Sequence, residues 1–168
     1  MNRADDSPRS RLGPLLVGVV LCEGVGALAG LATRSSVDTW YPTLAKPWFT
    51  PPDAVFAPVW ITLYAMMGIA AGLVWCVYQQ RTSPADARRA LVAFGVQLVL
   101  NLAWSGVFFG AQSIVGGLLV IVPLAGAVAD TIRRFWPLSR GAAGLLVPYL
   151  GWVLYATALN VGLWLLNG

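Results

Sequence analysis

Five stretches of nearly unbroken apolar sequence run through the chain, and the charged residues gather almost entirely between them. They cover residues 12–32, 55–78, 90–110, 114–132 and 142–166. Each has about the 20 residues that an α-helix needs to cross the hydrocarbon core of a bilayer. The pattern predicts an all-α fold, a polytopic membrane protein in which residues 12–168 form a single bundle of five transmembrane helices. The polar stretch 1–11 is expected to be a disordered tail. The first apolar run could pass for a signal peptide, but no convincing small-residue cleavage site follows it and four more spans do, so it is read as retained.

Most connections are short, which makes consecutive spans antiparallel neighbours. The exception is the stretch 33–54, where Trp40, Tyr41, Pro42, Lys46, Pro47, Trp48, Phe49, Pro51 and Pro52 combine rigid prolines with large aromatic rings. Such a loop is unlike a flexible linker. It reads equally well as an ordered lid on the bundle or as an aromatic anchor in the headgroup layer.

Composition agrees with a lipid environment. Of the 168 residues, 58% are hydrophobic and 11% charged, well below the quarter or so usual in soluble domains. Basic residues then orient the bundle. Arg3, Arg9, Arg11, Arg81, Arg88, Arg89, Arg133, Arg134 and Arg140 fall on one side, against Arg34 and Lys46 on the other. The positive-inside bias therefore puts the N-terminus in the cytoplasm and the C-terminus on the opposite side. The net charge of +4 reflects this topology and attraction to anionic lipid, with no long basic run to suggest a nucleic-acid partner.

Within the spans, polar and aromatic residues recur at helical spacing. Gln97, Asn101, Trp104 and Phe108 share one face of the third span; Trp60, Tyr64 and Met67 share one of the second; Tyr149, Trp152, Ala156 and Asn160 share one of the fifth. Counting 1.5 Å of rise per residue brings the three stripes together in the outer half of the membrane, under the Trp48 loop. A pocket there, lined by indole rings and a few amides, would suit a flat apolar ligand. Taken singly, each amide could instead bond across helices and each ring could fill the core. Eight tryptophans exceed what packing requires, so the set as a whole favours a pocket.

Other polar groups leave alternatives open. Glu23, midway along the first span, must face the bundle, as a proton-coupled group, a ligand contact or an interhelical hydrogen bond. Asp130 is explained by an ion pair with Arg133 and Arg134. Cys22 and Cys76 differ in depth by roughly 10 Å, beyond disulfide reach, and read as packing residues. The chain has no histidine, the commonest metal ligand and neutral-pH base, so no metal site is expected. Ser105 and Ser113 accordingly have no histidine partner, and no catalytic constellation is visible. Small residues at four-residue spacing, Gly18, Cys22, Gly26 and Gly30, with the pairs Gly68 and Gly72, and Gly106 and Gly110, would permit close helix contact, including a homodimer.

Together the segments resemble the TspO/translocator protein family, also called the peripheral-type benzodiazepine receptor family. The resemblance rests on Trp40-Tyr41 through Leu44, Lys46-Pro47-Trp48, Pro51-Pro52, Phe56, Pro58-Val59-Trp60, Leu63-Tyr64, Met67-Gly68, Gln97-Leu98, Leu100-Asn101, Trp104-Ser105, Phe108-Phe109-Gly110, Pro148-Tyr149-Leu150, Trp152, Ala156 and Leu159-Asn160. It implies a five-helix bundle, commonly dimeric, that binds porphyrins and in some members sterols or synthetic ligands. By motif match it implies ligand contact at Trp60 and Asn101, porphyrin binding or breakdown at Trp48 and Trp152, and an influence on binding at Ala156. The sterol-recognition pattern of the family is not matched, since Val161 and Leu165 stand where an aromatic and a basic residue are needed.

Three functions follow as expectations. The first is a tetrapyrrole-binding sensor or regulator, with no obligatory cofactor and a protoporphyrin-type ligand whose propionates approach Lys46 or Arg34. The second is an enzyme that breaks porphyrin down through Trp48 and Trp152, the only catalytic candidates. The third is a transporter of porphyrin, lipid or sterol, with Glu23 as the coupling group.

Overall fold

In a computed structural model, residues 8–80 and 83–168 are described, with side chains from Leu12 onward. The tail expected at 1–11 falls largely outside them, as does Arg81. Among the described residues there is no strand, and five helices are long and apolar enough to cross a membrane. They are α1 (Pro8–Thr39), α2 (Asp53–Gln79), α3 (Pro84–Ser105), α4 (Ile114–Phe135) and α5 (Arg140–Asn167). Most extend past their apolar runs. Helix α1 continues to Thr39, through the first part of the expected loop, because nothing from Thr33 to Thr39 breaks a helix and Arg34 pairs with Asp38 one turn on, at 3.7 Å.

Helices α2, α3, α4 and α5 close a ring, each touching the next and α5 returning to α2, while α1 lies outside against α2. Met67, Ile121, Leu124, Phe135 and Tyr149 are fully buried at the centre of the ring. Serine side chains cap two of the helices: Ser113 accepts from the Gly116 N–H at 3.0 Å, and Ser139 from the Ala142 N–H at 3.2 Å. The last turn of α3 widens into a π-helix over Gly106–Gly110, after which Gln112, in the left-handed region at φ 53°, turns the chain into α4.

The seam between α1 and α2 is made by the absence of side chains. A Cβ on Gly18 would fall on the Gly68 carbonyl oxygen, and one on Gly68 would lie 2.5 Å from the backbone of Val19. Farther along, one on Gly72 would lie 2.8 Å from the Leu15 Cα, and one on Gly26 would strike the Tyr64 ring at 2.5 Å. Cys22, 3% exposed, fills the middle of the seam. Much of the small-residue stripe that could have met a second copy is therefore used inside the chain. Gly30, Gly106 and Gly110 face open space.

The loop after α1 is ordered by its contacts with α5. Asn167 exchanges two hydrogen bonds with Ala45, each 2.9 Å, and the Tyr155 hydroxyl donates to the Phe49 carbonyl at 2.6 Å. Pro47 packs so closely on Gly162 that a Cβ there would lie 2.5 Å from its ring.

Candidate functional site

Two arrangements share the half of the bundle that holds the C-terminal end of α1, one packed and one open. The packed one joins α2, α3 and α5. The Tyr64 hydroxyl donates to the Asn101 Oδ1 at 2.6 Å, and the Asn101 Nδ2 donates to the Tyr149 hydroxyl at 3.1 Å, so one buried amide joins three helices. The Trp60 ring covers this triad, 5.6 Å from Tyr64, 6.4 Å from Tyr149 and 6.5 Å from Trp104. Trp104 in turn stacks on Phe108 at 5.5 Å. Helical spacing placed Tyr64, Asn101, Trp104 and Tyr149 on facing stripes, and the three helices bring them into contact.

The open arrangement is a cavity of about 700 Å³ on the α1 side of these rings. Its aromatic wall is Phe56, Trp60, Tyr64, Trp104, Phe109 and Tyr41; the facing wall is α1, through Gly26, Ala27, Gly30 and Thr33. Small residues make that wall recede, which is why the cavity exists. Glu23 lies at its deepest point along α1, roughly 16 Å of helical rise from Arg34 near the C-terminal end of that helix.

Charges at the mouth come in loose pairs. Arg34 lies 3.7 Å from Asp38, and Lys46, which does not line the cavity, lies 3.8 Å from Asp53 and 4.3 Å above the Tyr41 ring. Both separations exceed a hydrogen bond, so each cation keeps donors for another anion.

Among the residues the sequence singled out, Trp60, Tyr64 and Trp104 line the cavity, while Asn101, Tyr149 and Phe108 stand behind them. Trp152 is screened by Phe56, whose ring is 5.9 Å away, and Ala156 packs on the core nearby. Asn160 donates to the Ile114 carbonyl at 3.1 Å, tying α5 to α4. Gln97 is 1% exposed, and neither of its amide atoms has a hydrogen-bond partner among the described residues. Trp48 points outward, 95% exposed, with Phe49 against its ring at 5.6 Å.

On α1 sequence reasoning offered Glu23 and Arg34, both of which line the cavity, but it missed the small residues Gly26, Ala27 and Gly30, and it missed Phe56, Phe109 and Tyr41 as site residues. Spacing could have found Phe56, one turn before Trp60 on the same face. Phe109 is out of phase with Trp104 at ordinary helical pitch, and the π turn brings the two rings together. The glycines and alanines of α1 give no chemical signal, since they shape the site by lacking side chains. Among the described residues no cluster of His, Cys, Asp and Glu could hold a metal ion.

These features define a multi-pass membrane protein whose aromatic-walled cavity lies between its first helix and a closed ring of four. The chain belongs to the TspO/MBR family, whose profile matches residues 18–165. It is 39% identical over 153 residues to the tryptophan-rich protein TspO of Archaeoglobus fulgidus, covering 91% of this chain and 96% of that one. It is also 39% identical over 128 residues to the translocator protein of Homo sapiens, covering 74% and 73% of the two chains. The tryptophan-rich sensory protein of Cereibacter sphaeroides is 36% identical over 135 residues, 80% of this chain and 81% of that one.

Proposed function

We propose that the chain is a membrane sensor or regulator that binds a flat tetrapyrrole, metal-free protoporphyrin or a close analogue, in the cavity between α1 and α2. The observation that carries this reading is the cavity itself: about 700 Å³, within the usual range for small-molecule sites, with aromatic rings on one side and a receding glycine-alanine wall on the other. Rings lie against Trp60 and Trp104, and the propionates compete with Asp38 and Asp53 for Arg34 and Lys46. With no histidine in the chain, the ligand needs no axial coordination to be held. The mouth lies at the end that carries two of the eleven basic residues, so it opens away from the cytoplasm, with the N-terminus inside. Names such as tryptophan-rich sensory protein among the relatives support a sensory role. Oxidative breakdown through Trp48 and Trp152 draws no support from the geometry, because neither residue lines the cavity.

The test is a fluorescence-quenching titration of detergent-purified protein with protoporphyrin, run beside Gly30→Leu and Trp60→Phe. A Cβ on Gly30 meets nothing within 4 Å, so leucine enters the cavity without disturbing the fold. Saturable quenching that weakens tenfold or more in Gly30→Leu is the expected result, taking tenfold as about 1.4 kcal/mol of lost binding. An unchanged titration in both variants would place the ligand elsewhere or nowhere.

A further inference from the structure

Another cavity lies at the opposite end of the bundle, between the start of α3 and the end of α4. It has a volume of about 600 Å³ and is walled by Arg88, Arg89, Val92, Val96, Asp130 and Arg134, with the small side chains of Ala93 and Ala127 forming its floor. Three guanidinium groups thus face one carboxylate. That carboxylate is committed: Asp130 accepts from the Arg134 Nε at 2.5 Å and from the Arg133 Nη2 at 2.9 Å. Arg89 lies 3.7 Å from Asp86, and Arg88 has no ion pair among the described residues. Arg134 offers its two terminal nitrogens beyond the bond it makes through Nε.

The character of the groove changes along its length. Val92 and Val96, 60% and 51% exposed, continue it towards mid-membrane. From Arg88 to Val96 the helix rises about 12 Å, so a cationic end passes directly into an apolar channel as long as the upper half of an acyl chain. It lies at the end of the bundle that holds nine of the eleven basic residues.

We propose that this groove binds one anionic phospholipid, its phosphate on Arg88 and Arg89 and an acyl chain along Val92 and Val96. Charge complementarity selects the occupant. Basic pockets between transmembrane helices on the cytoplasmic side suit anionic headgroups. A zwitterionic lipid brings an ammonium group into a site with a two-charge positive excess, and a free anion leaves the apolar half unused. The site is separate from the aromatic cavity, so it stands or falls independently of the ligand proposed there.

The test uses the full chain in neutral detergent, with lipid retention read by native mass spectrometry and thermal midpoint read in parallel. Phosphatidylglycerol is expected to stay bound at one per chain and to raise the midpoint, whereas phosphatidylcholine and inorganic phosphate do neither. Arg88→Gln/Arg89→Gln, two exposed substitutions, should lower phosphatidylglycerol affinity about 25-fold, taking about five-fold per arginine. Ala93→Phe should lower it with every charge in place, by filling the floor of the groove. The charge-matched control Arg9→Gln/Arg140→Gln should bind as the parent does. Equal retention of the two lipids, an equal loss in the control, or the same midpoint shift from phosphate alone would each overturn the proposal.

Discussion

The two interfaces of α2 hold their partners by opposite means. Towards α3 and α5, side chains interlock: a tyrosine from α2, an asparagine from α3 and a tyrosine from α5 share two hydrogen bonds beneath the Trp60 ring. Towards α1, side chains are removed, and Gly18 and Gly68 bring backbone against backbone. Close backbone approach gains dispersion and weak contacts over a short length only, as at other small-residue seams in membranes. Beyond Gly26 the α1 wall stands off from α2, and the space between them is the cavity. The first interface makes a fixed floor for a ligand. The second makes a wall joined to that floor along one half of its length.

That contrast can be broken most forcefully at the seam. Gly68→Leu puts a side chain into the backbone of Val19, where no flexible group can yield, and is expected to cost about 3 kcal/mol or to detach α1 altogether. Thermal unfolding followed by circular dichroism measures this. Gly30→Leu, the same substitution in open space beside the same interface, should stay within about 0.5 kcal/mol of the parent. If the two variants unfold alike, the seam is not what holds α1.

Next in size is Asn101→Ala, which deprives the Tyr64 and Tyr149 hydroxyls of their shared partner and should cost about 2 kcal/mol, counting two lost hydrogen bonds and the space left behind. Because Asn101 stands behind the cavity wall, stability should fall more than protoporphyrin affinity. A loss confined to affinity would make it a direct contact instead. Trp60→Phe sharpens the comparison from the other side. It keeps a ring over the triad, so stability should change by about 1 kcal/mol or less while affinity drops several-fold in the quenching titration. The smallest effect belongs to Trp48→Ala. With 95% of that residue exposed, both readouts should match the parent within about 0.5 kcal/mol, and a marked loss of binding would mean that the loop folds down over the ligand.

Much of the architecture was legible because lipid imposes a length and a composition on every span. The five helices follow from that constraint, and Tyr64, Asn101, Trp104 and Tyr149 follow from helical periodicity. What periodicity could not supply was which neighbour each face meets. Depth counting brought the stripes of α2, α3 and α5 to one level, but not which faces pack together and which remain open. On α1 it placed Glu23 midway along the span but gave no sign of Gly26, Ala27 and Gly30, which shape the wall there. The ordered loop was foreseeable from its prolines and rings. The outward turn of Trp48 was not, because it depends on how Pro47 seats against Gly162 and how Asn167 grips Ala45, contacts between residues far apart in the chain.

The wide turn at Gly106–Gly110 has a consequence best expressed as an angle. In an unbroken α-helix Phe109 would point about 140° away from Trp104, five residues earlier, whereas a π turn brings the fifth residue back round towards the first. Trp104 accordingly touches both rings that follow it, Phe108 at 5.5 Å and Phe109 at 5.9 Å. In effect the segment carries one residue more than a regular helix would use. Deleting a single position between Trp104 and Phe109 would restore the ordinary pitch with Phe109 four residues on and still over the cavity, whereas tightening the turn without removing a residue would swing it away.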